Sequence, residues 1–264
     1  MRDRRQIVAS VFFDRYHLGQ SADLVASDLQ HDVTSQVRAL GIRPEPQISL
    51  SEPHQQSRVD HARKLWRSPT AAKRFIADAM REAKVHGYGG YSIDLAGPGG
   101  DATADDTANY ALFVGEFSQA TASKGLRLTL RMPSRGSHDV GAMLKAAPGL
   151  ALATITSTYT SNLTSFAHAL NEAVAAAEAA DGNVDRLAIG LSTQTGSGGG
   201  IDSTMPVSDL RARLDLARTA GVRHIDIWRA PIPEKWWPLL HDFVVENLRQ
   251  RLRARAEDGF LVLN

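Results

Sequence analysis

The sequence predicts an α/β fold, a single (β/α)8 TIM-barrel domain over residues 1–264, on three observations. Apolar runs of strand length alternate with amphipathic helical stretches. Seven such units follow one another without a chemically distinct linker, which favours a closed barrel over a doubly wound sheet. The length of 264 residues is also close to the roughly 250 residues of a minimal barrel.

Seven runs have the composition and length of strands. They lie at residues 7–14, 47–51, 90–95, 126–132, 151–157, 187–192 and 224–228. The helices predicted between and after them lie near residues 22–40, 69–86, 105–124, 139–147, 161–180, 208–220 and 233–255. The C-terminal run 259–264 is rich in β-forming residues and is interpreted either as the eighth strand or as a loosely held tail.

Capping residues coincide with the predicted helix ends. Ser68 can accept hydrogen bonds from the free amides of a helix start, and Pro69 has the backbone angle of a first turn. Glycines at positions 41, 87, 125 and 221 follow helices where a left-handed residue stops them. Each unit is therefore predicted to be a strand, a loop and a helix.

The composition excludes several classes of protein. With 43% hydrophobic and 22% charged residues the chain is typical of soluble globular proteins, and no run approaches the roughly 20 apolar residues of a membrane span. The N-terminus shows no cleavable leader, so we expect a cytoplasmic protein. The absence of cysteine excludes disulfides and thiolate metal sites, and the net charge of +1 gives no electrostatic footprint for nucleic acid.

No histidine pair has metal-ligand spacing, and no motif indicates a cofactor. We therefore expect neither a metal nor a cofactor, and a small-molecule ligand or substrate as the partner. The glycine-rich run 195–200 is interpreted as a flexible lid that carries Asp202 or Met205 over the mouth. Of the neighbouring Trp236 and Trp237, at least one is expected in the core.

Polar residues follow the predicted strands at their carboxyl ends, where barrel enzymes have their active sites. Strand alternation places Ser92 and Asp94 on one face of their strand, and likewise Asp226 and Trp228 on theirs. Because isolated buried charges cost several kcal/mol, charged residues inside a barrel need partners. The sequence therefore predicts one internal network of Asp94, Arg131 and Asp226.

The stretch from Arg74 to Ala96, which ends Gly-Gly-Tyr-Ser-Ile-Asp-Leu-Ala, resembles the segment of family 18 glycoside hydrolases (chitinase-like) that ends in DGxDxDxE. Residues 113–117 and 126–130 are similar to the helix and strand that follow in this family. Tyr159 matches its catalytic-site tyrosine, and Trp228 matches the tryptophan that forms the floor under the sugar. The resemblance covers roughly residues 68–230 and implies a chitinase-like barrel.

The resemblance fails at the proton donor. Laid on the family pattern, Asp94 is kept, but the catalytic glutamate is replaced by Ala96. A positioned general acid contributes about 10²- to 10⁴-fold in rate, so standard chitinase chemistry is disfavoured. Another acid could take its place, and Glu234, Glu52 and Asp14 are the alternatives. Glu234 also suits the first turn of a helix, where a negative charge is stabilising.

These considerations lead to two hypotheses. The first is a glycoside-hydrolase-like enzyme with a rebuilt active site, acting on a soluble glycoside or a polyhydroxylated or polycyclic metabolite by hydrolysis or by a biosynthetic cyclisation or elimination. The second is a non-catalytic, chitinase-like binder of sugars or related ligands. The predicted catalytic residues are Asp94, Tyr159 and Glu234, and the predicted substrate-binding residues are Asp14, Glu52, Arg131, Gln194, Trp228 and Arg229.

Overall fold

The computed structural model describes residues 4–27, 33–50, 55–95, 103–134, 139–159, 162–193, 205–228 and 230–257. The side chains of residues 55–59 and 254–257 are outside this description. The strands are β1 (Ser10–Leu18), β2 (Leu24–Ala26), β3 (Arg43–Ser49), β4 (Gly90–Asp94), β5 (Arg127–Met132), β6 (Leu152–Ile155), β7 (Leu187–Ser192) and β8 (His224–Trp228). The α-helices are α1 (Val33–Ala39), α2 (Gln55–Trp66), α3 (Pro69–His86), α4 (Ala104–Ala122), α5 (Val140–Ala146), α6 (Leu163–Ala180), α7 (Val207–Thr219) and α8 (Trp237–Glu257). Four short 3-10 helices lie at Arg4–Ile7, Thr156–Tyr159, Val184–Arg186 and Glu234–Trp236.

The strands form one curled eight-stranded sheet in the order β2-β1-β3-β4-β5-β6-β7-β8. Strands β1 and β3 pair in parallel, and each strand from β4 to β8 pairs in parallel with the strand before it. Strand β2 pairs with β1 as an antiparallel hairpin. Among the described residues β8 pairs with β7 alone, so the sheet forms a half-barrel. The run 259–264, interpreted as a possible eighth strand, lies outside the described residues.

The seven predicted strands are present, but the predicted helix over residues 22–40 is wrong in its first half. Residues 24–26 form β2 instead, and among the described residues of this stretch the helix spans Val33–Ala39. The cause is a tight turn after β1, in which Ala22 has a φ of 55° and the Gly19 amide donates to the Asp23 carbonyl at 2.9 Å. This turn brings β2 back onto the edge of β1, where strand pairing prevails over helix propensity.

Two further differences concern β3 and α2. Strand β3 begins at Arg43, before the predicted residue 47, although Pro44 and Pro46 cannot donate to a neighbour. The strand tolerates them because it pairs with β4 only from Gln47 onward. Helix α2 was not predicted at all, since its polar start gave no helical periodicity.

The core lies between the outer face of the sheet and the helices. Tyr91 and Ile93 of β4 are buried on this face, and Phe117 of α4 packs against Tyr91 with ring centroids 5.9 Å apart. Phe75 of α3 meets Phe113 of α4 edge to face at 5.9 Å. Full burial of each large apolar side chain contributes about 1.5–3 kcal/mol, so the helices hold the sheet chiefly through this layer. The opposite, inner face of the sheet is left for polar residues.

The predicted boundaries of α3 are confirmed. Ser68 Oγ accepts a hydrogen bond from the Ala71 amide at 3.3 Å, and Pro69 begins the helix. Gly87 ends it with a φ of 69°, in the left-handed region that favours glycine. The expectation that one tryptophan of the pair at 236–237 is core is also confirmed, since Trp236 is fully buried. None of the helices, as far as they are described, combines the length and apolar character needed to cross a membrane.

The N-terminus of α4 is capped with the help of a buried carboxylate. Asp106 accepts from the Thr103 amide at 3.0 Å, while Thr103 Oγ1 accepts from the Asp106 amide at 3.2 Å, which makes a capping box. Arg63 Nε of α2 and a guanidinium nitrogen of Arg67, directly after that helix, reach the same carboxylate at 3.1 and 2.6 Å. Burial alone would raise the pKa of Asp106, but these hydrogen bonds prevail and lower it to about 2.

We expect Asp106→Ala to lower the free energy of unfolding by about 2 kcal/mol, because the helix loses its cap and two arginines lose their acceptor. A carboxylate with a lowered pKa stabilises the fold above its unfolded pKa, and this contribution is lost as the pH falls toward the folded pKa. The difference between wild type and variant, measured by urea unfolding, should therefore shrink between about pH 4 and pH 2. Asp106→Asn, which keeps an acceptor oxygen, is the control and should cost less; a constant difference at all pH values would contradict this assignment.

Candidate active site

The inner face of the sheet carries polar side chains in columns along the strands. On β5 these are Arg127, Thr129 and Arg131, while Leu128 and Leu130 face the helices and are fully buried. On β8, His224, Asp226 and Trp228 alternate in the same way with two isoleucines. The residues at the carboxyl ends of these columns, where parallel α/β sheets place their ligands, form the mouth of the sheet.

At the mouth Arg131 and Asp226 form a buried ion pair. A guanidinium nitrogen of Arg131 lies 3.2 Å from Asp226 Oδ2, and the two side chains are 6% and 5% exposed. Tyr159 Oη donates to the same carboxylate oxygen at 3.0 Å and accepts from the other terminal nitrogen of Arg131. The predicted contact between Arg131 and Asp226 is thus confirmed. We call these three residues the mouth triad.

The position of Tyr159 depends on neighbours that sequence reasoning missed. Thr158 Oγ1 accepts from the Gly190 amide at 2.7 Å and donates to the Ile155 carbonyl at 2.5 Å, which fixes the 3-10 turn after β6 against β7. The tyrosine ring then lies against β7, where a Cβ on Gly190 would come within 2.4 Å of it. Gly190 is therefore required for this placement, and no periodicity in the sequence signals it.

Asp94 is the last residue of β4 and lies at the same mouth. Burial raises the pKa of Asp94 above the usual carboxyl value; the charge of Arg131 opposes the rise and that of Asp14 adds to it. Asp14, on β1, is exposed. The mouth thus combines a partly buried carboxyl that holds its proton more tightly than usual with an exposed carboxyl nearby.

Burial also raises the pKa of Asp226 and of Tyr159, although Arg131 opposes the rise in both. The hydrogen bond from Tyr159 further favours the ionised form of Asp226. Tyr159 is consequently a neutral hydroxyl, with its proton directed at Asp226.

Trp228 provides an apolar surface at the mouth. Trp228 is 45% exposed. Its ring centroid lies 5.6 Å from that of Tyr159, with the ring planes tilted by 40°. The two rings together can cover one face of a flat or sugar-like ring.

Glu234 is placed differently from the other predicted catalytic residues. Its side chain is 76% exposed and pairs with Arg4, whose guanidinium also lies 4.9 Å from the centroid of the Trp237 ring. The hydrogen bonds from Arg4 lower the pKa of Glu234, which is the opposite of what a proton donor needs. Met205, proposed to move over the mouth, is buried in the core, and its carbonyl accepts from Trp236 Nε1 at 3.4 Å. The predicted residues that lie outside the described part of the chain are Glu52, Gln194, Asp202 and Arg229, together with the key position Ala96.

Within the described ranges, no group of three histidine, aspartate or glutamate side chains is arranged to hold a metal ion. Separately, the charged and hydroxyl side chains described at the mouth can transfer protons and polarise a bound group.

No family model and no curated protein matches the chain. Solved structures do resemble it. A chitinase from Chromobacterium violaceum has a TM-score of 0.70 at 14% identity, over 90% of this chain and 91% of that one. The spore cortex-lytic enzyme of Bacillus megaterium has a TM-score of 0.71 at 11% identity, over 90% of this chain and 68% of that one. A class V chitinase from Nicotiana tobaccum, a mutant in complex with NAG4, has a TM-score of 0.68 at 13% identity, over 93% and 94%. The chain thus has a divergent chitinase-like fold of the family 18 type.

Proposed function

We propose that this chain is a glycoside-hydrolase-like enzyme with a rebuilt active site, which acts on a soluble glycoside or a polyhydroxylated or polycyclic metabolite. Asp94 transfers the proton, the mouth triad polarises the substrate, and Trp228 forms the floor beneath it. The curled sheet belongs, in this proposal, to a single (β/α)8 barrel domain. Parallel pairing of successive strands and the chitinase-like solved structures support that architecture.

The observation that carries the proposal is the carboxyl of Asp94. It is a partly buried acid with a raised pKa at the carboxyl ends of the strands, beside the charged triad and a half-exposed tryptophan. Perturbed carboxyls of this kind concentrate at catalytic sites, because a general acid must keep its proton near neutral pH. Arg131 acts on it electrostatically, although its short ion pair is with Asp226.

The residue types at the mouth favour a ring-shaped, hydroxyl-bearing substrate. Trp228 and Tyr159 present aromatic faces, while the carboxyls of Asp14 and Asp94 can bind hydroxyl groups. One similar structure is a chitinase in complex with NAG4, which agrees with a sugar-like ligand. Because Ala96 replaces the family's glutamate, Asp94 is the acid that protonates a leaving oxygen in this proposal, in hydrolysis, elimination or cyclisation.

The second candidate function is binding without turnover. It is favoured by the closed pairing within the mouth triad, in which Arg131 and Tyr159 both direct their donors at partners inside the triad. Replacement of the family's glutamate by alanine at position 96 points the same way.

An assay that measures conversion and binding separately distinguishes the two functions. The purified chain is incubated with a panel of 4-nitrophenyl glycosides, chitin oligomers and polyhydroxylated metabolites, and binding is measured by calorimetry. We expect turnover of at least one compound, and about a tenfold loss of affinity for it in Trp228→Ala, which removes one aromatic face.

Leu112→Ala, which removes an exposed apolar side chain from α4, is the matched control and should leave both quantities unchanged. Saturable binding without conversion, weakened by Trp228→Ala, would support the binder instead. Conversion that is insensitive to Trp228→Ala would overturn the placement of the substrate at this mouth.

A further inference from the structure

The opposite end of the sheet carries a cluster of cationic side chains. Arg43, Arg127 and His224 are the first residues of β3, β5 and β8, so parallel pairing brings them to the same, amino end. Arg223 directly precedes β8, and Arg251 of α8 returns to this end beside it. We call these five residues the amino-end cluster.

Two of the arginines share one buried carboxylate at long range. Arg43 and Arg127 each lie 3.8 Å from Glu45 Oε1, which is beyond hydrogen-bond distance. Glu45 is fully buried and takes its hydrogen bonds from Ser10 Oγ at 2.6 Å and Thr129 Oγ1 at 3.4 Å. The carboxylate therefore compensates only one of the two positive charges and does not occupy the guanidinium donors.

The other two arginines share Asp185. Arg223 reaches both of its carboxylate oxygens, at 2.9 and 3.0 Å, and Arg251 reaches one at 3.3 Å. Four guanidiniums thus face two carboxylates, an excess of two positive charges. Their side chains are 29–43% exposed, so each is accessible from solvent while part of it is desolvated.

His224 lies among these charges. Burial lowers the pKa of its imidazole, and Arg251, Arg127 and Arg223 lower it further, against the opposing effect of Asp185. The ring is consequently a neutral group inside a positively charged environment, and it reports on any anion that enters.

We propose that the amino-end cluster is a binding site for a small phosphate-type oxyanion, either inorganic phosphate or a phosphomonoester. Guanidiniums bind phosphate oxygens with paired, charge-assisted hydrogen bonds, and a dianion matches the excess charge. The site is separate from the mouth, because Arg127 and Arg131 are four residues apart on one strand, about 13 Å at 3.3 Å per residue. It is therefore independent of the function proposed for the mouth.

Thermal unfolding with and without phosphate tests this site. We expect inorganic phosphate at millimolar concentration to raise Tm by about 2–4 °C above sodium chloride of equal ionic strength. Arg251→Gln should remove most of this increase. Arg249→Gln, on the same helix but paired with Glu246 at 3.6 Å, is the matched control and should retain it. A second variant, Arg43→Gln, gives the same test on another element should Arg251→Gln fold poorly.

Proton NMR of His224, assigned with His224→Gln, adds a local readout. Bound phosphate should raise the pKa of this imidazole, whereas chloride at equal ionic strength should not. The protein charges around the ring, which are Glu45, Asp185 and the three facing arginines, are the same in both samples, so a difference in pKa comes from the anion. Glycerol phosphate distinguishes a phosphomonoester from inorganic phosphate as the ligand. If it raises Tm and the pKa of His224 more than inorganic phosphate does, the site binds phosphomonoesters. Equal Tm values in phosphate and chloride, together with an unchanged pKa of His224, would overturn the proposal. So would an equal loss of the phosphate-dependent Tm increase in Arg249→Gln and Arg251→Gln.

Discussion

Replacing Asp94 with asparagine should lower kcat for any substrate of this chain by about 10²- to 10⁴-fold, the range expected for loss of a positioned general acid. Asparagine keeps the shape of the side chain and removes its proton. Burial holds the pKa of Asp94 above the usual carboxyl value, so the acid form persists to higher pH than for an exposed aspartate. Activity of the wild type should fall as the pH rises through that raised pKa, and this limb should be missing in the variant. The pH dependence of kcat/KM measures both effects.

The free energy of unfolding shows whether the lower kcat of Asp94→Asn comes from the lost acid or from misfolding. A carboxyl with a raised folded pKa contributes stability below its unfolded pKa, and that contribution is lost as the pH rises through the folded pKa. At neutral pH the neutral amide in Asp94→Asn should therefore leave the free energy of unfolding unchanged or higher. Asp78→Asn, on the surface of α3 and paired with Arg81 at 2.7 Å, is the control for activity. Full activity in Asp94→Asn with the alkaline limb retained would exclude Asp94 as the acid.

Replacing Asp226 with alanine should lower the free energy of unfolding by about 3–5 kcal/mol, the cost of leaving a buried charge without its partner. Arg131 is only 6% exposed and loses its short ion pair, while Tyr159 loses its acceptor. The charge of Asp14 at the mouth offsets only part of this loss. Urea unfolding at pH 7 measures the change.

A double-mutant cycle identifies the origin of the loss. Arg131→Met combined with Asp226→Ala removes both charges, and the pair should cost at least about 1 kcal/mol less than the sum of the single variants. Asp215→Ala breaks an exposed pair with Arg218 and should change stability by less than about 0.5 kcal/mol. Additive costs in the cycle would show that the mouth triad is not energetically coupled.

Much of the fold could be predicted because apolar periodicity records burial directly. Alternation in β4, β5 and β8 placed Asp94, Arg131 and Asp226 on the inner face, and the structure brings the last two into contact. Capping chemistry correctly located the ends of α3, since Ser68 and Gly87 act locally.

The remainder depends on contacts between segments that are distant in sequence. Tyr159 reaches Asp226 only because a 3-10 turn follows β6 and because Gly190 leaves room for its ring. Polar residues at every second position of β3, Glu45 among them, are typical of a strand. The two prolines between them argue against a strand, so the pattern was not interpreted as one. Glu234 pairs with Arg4, more than 200 residues away, and no local pattern reveals this partner.

The place of β8 in the sheet has a consequence for ligand affinity. Strands β4 and β5 are hydrogen-bonded on both sides, whereas β8, in the described part of the chain, is bonded to β7 alone. We therefore expect the backbone amides of β8, which carries Asp226 and Trp228, to open to solvent exchange at a lower free-energy cost than those of β4 and β5. A ligand that contacts Asp226 and Trp228 binds only molecules in which β8 is paired with β7. Occupancy of the mouth should therefore increase the protection of the β8 amides against hydrogen exchange.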